Sequence, residues 1–105
     1  MKREMKPGPG VERVMERELA PELADQLRAH GLNVEDEVGL RRTLEECAPT
    51  WTLIRLNNIA AKRWKARYRL MLGEQWYDAE TVSNAYALAL LALLKADAAQ
   101  ERQNQ

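Results

Sequence analysis

Trp51–Leu72 reads WTLIRLNNIAAKRWKARYRLML, and the way these 22 residues fold decides how the rest of the chain is organised. The stretch holds Arg55, Lys62, Arg63, Lys65, Arg67 and Arg69 and no Asp or Glu. Placing its residues at about 100° intervals predicts one long helix. Leu53, Leu56, Ala60, Trp64, Tyr68 and Met71 then share a broad face that reads as the core side. Arg55, Asn58, Lys62, Lys65 and Arg69 fall together on the opposite side, with Arg63 and Arg67 flanking the core face. Ile59, Ala66 and Leu70 make a second, narrow apolar strip. A helix that is apolar on two sides touches two neighbours.

The charge balance sharpens this segment. The whole chain of 105 residues has a formal net charge of zero. Residues 1–50 carry 8 basic and 11 acidic groups, residues 51–72 carry 6 and none, and residues 73–105 carry 2 and 5. The zero is therefore a sum of opposites, with all the positive excess in one segment.

Outward from that segment the pattern also reads as helical. Residues 1–10 contain Pro-Gly-Pro-Gly and predict a flexible arm. Val11, Met15, Leu19, Leu23 and Leu27 have helical spacing, interrupted by Pro21, which either kinks one helix or separates two. Gly31 suits a helix C-terminus. Asn33 reads as the N-cap of a helix over about 34–47, with Asp36 three residues on. Pro49 stops that helix, and Thr50 is placed to cap the next. Gly73 reads as a helix cap, and Glu74–Asp78 as a short loop that packs Trp76 on the core. Asp78 then caps a buried apolar helix over about 79–98. Residues 99–105 are polar and predict a disordered tail. The expected class is all-α: a compact bundle of four to five helices, one domain over 11–98, with the basic helix at 51–72 in its centre.

Several functions are disfavoured. No Gly-rich phosphate loop and no nucleophile-elbow motif is present. The single His30 and single Cys47 exclude two-His and paired-Cys metal sites, so no metal and no cofactor are expected. Cys47 reads as a small buried hydrophobe. The lone cysteine and the absence of a signal-like start suit a cytoplasmic protein. The longest apolar run, Ala85–Leu94, is shorter than the ~20 residues a bilayer needs, so no membrane association is expected.

The chain is thus expected to be non-catalytic and to act by interaction. The basic helix would be about 33 Å long and could track a phosphate backbone of DNA or RNA through Arg55, Asn58, Lys62, Lys65 and Arg69. The rival is a protein-only adaptor or homo-oligomer in which that face meets acidic protein surface. In that reading Ile59, Ala66, Leu70, Leu88 and Leu91 form the interface. An enzyme is the third alternative.

Overall fold

The structure, a computed structural model, describes residues 19–103. The elements are α1 (Pro21–Ala29), α2 (Glu37–Cys47), β1 (Thr52–Arg55), α3 (Asn58–Trp64), β2 (Tyr68–Leu72), β3 (Gln75–Ala79) and α4 (Val82–Gln103). The three strands form one antiparallel sheet in the order β1-β2-β3. The fold is therefore mixed helix and sheet, and the all-α expectation is wrong.

The error lies in 51–72, which is strand, short helix, strand. A helical wheel sets Leu53 and Leu70 about 100° apart. The ladder instead pairs them directly, and Leu70 is fully buried. Leu53 from the expected core face and Leu70 from the expected narrow strip in truth share the covered face of a sheet, while Met71 turns to the other face. Strand alternation puts Leu53, Leu70 and Tyr77 on that face, and Ile54, Arg69, Met71 and Trp76 on the other.

Local chemistry explains each break. Asn57 opens α3, its Oδ1 accepting from the Ala60 N–H at 2.8 Å. Lys65 closes it in the left-handed region, φ 56°. Gly73 caps no helix. It is the first residue of a two-residue hairpin loop between Leu72 and Gln75, with φ +63°. That position favours Gly because the loop twist matches the strands only with positive φ. The hairpin draws residues 75–78 out of the expected loop and into β3 and leaves Glu74 in the turn.

Elsewhere the helical reading stands with shifted ends. Ala20 is extended and α1 begins at Pro21, so Pro21 starts a helix. Gly31 follows α1 with φ +84°. The cap of α2 is Asp36 rather than Asn33, its Oδ2 accepting from the Gly39 N–H at 2.9 Å. Thr81, not Asp78, caps α4, its hydroxyl accepting from the Asn84 N–H at 3.1 Å. Asn84 also accepts from the Ala20 N–H at 2.8 Å, tying the start of α1 to α4. α4 runs on to Gln103, into the stretch expected to be a polar tail. The expected arm at 1–10 and the helical spacing over Val11–Glu18 lie outside the described residues.

α4 lies across one face of the sheet, touching β2 and β3, and α1 and α2 pack against it. Leu27, Leu40, Leu44, Leu70 and Leu90 are fully buried where these layers meet. Ala85, Ala87 and Ala89 are also fully buried, small enough to let neighbours approach α4 on several sides. Trp51 packs edge-on against Tyr86, with ring centroids 5.5 Å apart. Val82–Gln100 has a mean hydropathy of 1.3, long and apolar enough to cross a bilayer. In this fold it is the core helix.

Candidate nucleic-acid interface

With α4 on one side, the other face of the sheet is covered by no helix among the described residues. The register places two cross-strand rows there: Thr52, Met71 and Trp76, then Ile54, Arg69 and Asp78. Ile54 and Met71 are each 38% exposed and Trp76 is 57% exposed. Trp64, at the end of α3, is 52% exposed and reaches this face. Of the six exposed large hydrophobic residues among the described residues, only Val38 lies away from the sheet and α3. Isolated exposed apolar side chains are ordinary, whereas a contiguous set marks a contact surface.

Arg69 organises the patch. Its Nε donates to Asp78 Oδ1 at 2.8 Å and its Nη2 to Asp78 Oδ2 at 3.0 Å. The guanidinium carbon lies 4.4 Å from the Trp76 ring centroid and 5.3 Å from that of Trp64. One cation therefore contacts both indoles, and a carboxylate fixes it across the ladder. The Asp78 hydrogen bonds raise the Arg69 pKa further above its ordinary range, against a smaller opposing effect of desolvation. Arg63 also stacks on Trp64, at 5.6 Å.

Exposed cations lie on and just after α3, whose Trp64 reaches this face. Lys62 and Arg63 are exposed on α3, and Lys65 is exposed at its end. No carboxylate among the described residues pairs with Arg55, Lys62, Arg63 or Lys65. Arg67 lies 3.8 Å from Glu80, both half exposed. The acidic groups of α2 are not the counter-charge. Glu35 pairs with Arg28 at 3.0 Å, and no described ion pair joins Glu35–Glu37 or Glu45–Glu46 to 51–72. Lys65 is also the one non-glycine residue with positive φ among the described residues. Such backbone conformations concentrate at functional sites.

The residues expected to share one helical stripe are dispersed. Arg55 ends β1 on the α4 side of the strand alternation, exposed at an edge. Asn58 and Lys62 lie on one side of α3, and Arg69 is on β2 between the indoles. Among the expected interface residues, Ile59 is 82% exposed on α3. Ala66, Leu70 and Leu91 are buried in the chain's own core, and Leu88 is half-buried against it. Trp76, Ile54, Met71 and Asp78 were not among the expected site residues: Trp76 and Met71, expected on the core, are exposed, and Asp78, expected as a helix cap, pairs with Arg69. Their signal was the alternation of Tyr68–Leu72 and Gln75–Ala79 across a two-residue Gly-Glu spacer.

A concave feature lies at the turn end of the hairpin. It is an open cleft of about 470 Å³ between the end of α2, the β2–β3 turn and the later part of α4. Cys47 stands at its edge and is exposed, contrary to its expected burial. No charged side chain lines the cleft. Among the described residues, no three His, Cys, Asp or Glu side chains gather into a cluster able to hold a metal ion.

No protein-family model, curated protein or solved structure matches the chain.

Proposed function

We propose that the chain is a non-catalytic nucleic-acid-binding module that uses the helix-free face of its sheet together with α3. The observation that carries this reading is the Trp64–Arg69–Trp76 stack on a sheet face that no helix among the described residues covers, together with Lys62, Arg63 and Lys65, exposed on and after α3 and joined to no carboxylate among the described residues. Phosphates answer the cations, and bases or sugars answer the indoles and the apolar row. A second copy of the chain answers neither. Face-to-face pairing would bury Ile54, Met71 and Trp76 but set the same cations against each other.

The test is fluorescence anisotropy with a labelled oligonucleotide at low salt. Three phosphate contacts imply a log–log salt slope of about −2 on a single strand and about −3 on a duplex. Lys62→Glu combined with Lys65→Glu should abolish binding at 100 mM salt and leave the far-ultraviolet circular dichroism unchanged, since both side chains are exposed. Binding that is absent at low salt, or unaffected by the double reversal, removes the proposal.

A further inference from the structure

Resting on the nucleic-acid reading, we infer that this face selects an unpaired strand, with a base stacked on the free face of Trp76 and a phosphate or base edge received by Arg69.

The geometry divides Arg69 into a used edge and an unused one. Asp78 takes the Nε–H and one Nη2–H. One Nη1 hydrogen and the second Nη2 hydrogen form the end-on edge of the guanidinium, and no described side chain accepts from them. That edge is a two-pronged donor suited to a phosphate or to paired acceptors on a base. Asp78 fixes its orientation, so little freedom is lost when it engages.

The indoles decide between strand and duplex. Arg69 lies over the Trp76 ring, Arg63 and Arg69 both lie against the Trp64 ring, and the two tryptophans are 57% and 52% exposed, so Trp76 is the ring with a single cation on it and the larger share of its surface open. An exposed ring face is used fully only by another flat ring. A duplex keeps its base faces stacked inside and presents groove edges and phosphates. An unpaired strand can splay its bases onto aromatic side chains. Met71, directly opposite Trp76 on β2, and Thr52 beyond it continue the row along which a neighbouring base would lie. Lys62, Arg63 and Lys65, exposed on and after the helix that ends in Trp64, supply the cations for the phosphates.

The experiment measures binding of the full chain to three probes at 50 mM salt: a mixed-sequence 12-nucleotide DNA strand, the same strand in a hairpin duplex, and heparin, a polyanion without bases. The strand should bind at least roughly tenfold tighter than the duplex. Trp76→Leu keeps apolar bulk but removes the stacking ring. It should weaken strand binding roughly tenfold, in line with the loss of one base–aromatic stack, and leave heparin binding unchanged. Trp64→Leu gives an independent copy of the same test, and circular dichroism verifies the fold of each variant. Duplex binding equal to or tighter than strand binding overturns the inference and leaves the nucleic-acid reading standing. Equal losses on all three probes overturn stacking. No binding to either nucleic acid overturns both readings.

Discussion

Arg69 faces Asp78 directly across the β2–β3 ladder, held by two hydrogen bonds of 2.8 and 3.0 Å, with the Trp76 ring 4.4 Å from the guanidinium carbon. The pair matters for the two rings it orders as well as for itself. Asp78→Ala releases Arg69 and with it the fixed positions of Trp64 and Trp76. The near-ultraviolet circular dichroism of the indoles should fall clearly, while the far-ultraviolet signal stays within error of the parent. An unchanged aromatic spectrum would show that Asp78 does not position the stack.

Alternation on β2 gives a sharp contrast between neighbours. Leu70 is fully buried opposite Leu53 and Tyr77, whereas Met71 is 38% exposed on the helix-free face. Leu70→Ala should cost about 2–5 kcal/mol, the range for emptying a packed leucine site. Met71→Ala should cost less than about 1 kcal/mol, as surface changes usually do. Urea midpoints at constant m-value measure both. Comparable costs at the two positions would contradict the strand register.

Tyr86 supplies a pH dependence. It is buried between α4 and its neighbours, and burial pushes its hydroxyl pKa up; the Glu37 and Glu45 charges add to this and Arg41 opposes it. The unfolded chain therefore releases this proton near pH 10 while the folded chain still holds it. Stability from this group is complete below about pH 10 and is lost as pH rises above that value. Tyr86→Phe should flatten the alkaline fall in melting temperature and change stability little at pH 7. A fall above pH 10 as steep in Tyr86→Phe as in the parent would remove Tyr86 from the account.

How far the sequence was legible follows from which periodicity each segment carries. α1 and α2 carry 3.6-residue patterns with stop signals at Gly31 and Pro49, and α2 was located to within three residues, whereas the expected 79–98 began three residues before α4 and ended five short of it. The strands are four or five residues long, and an apolar run of that length satisfies a helical wheel as easily as a ladder. α3, inserted between two paired strands, joined them into one apparent helix. The cations were visible because charge survives any misreading of the backbone. Their arrangement was not, since Arg55 and Arg69 share a face only on a helix. The Trp64–Arg69–Trp76 stack required the register, because its members come from three elements.

The central claim is that the helix-free face is where nucleic acid lies, and the three tryptophans test it directly. Trp64 and Trp76 are on that face, while Trp51 packs edge-on to Tyr86 on the core side. The measurement is a nitrogen–proton correlation spectrum of the indole groups, with each signal assigned by single Trp→Leu replacement, during titration with a single-stranded oligonucleotide. The signals of Trp64 and Trp76 should shift progressively to saturation while that of Trp51 stays in place. Three indole signals unmoved at saturating strand, or a shift confined to Trp51, would contradict the account.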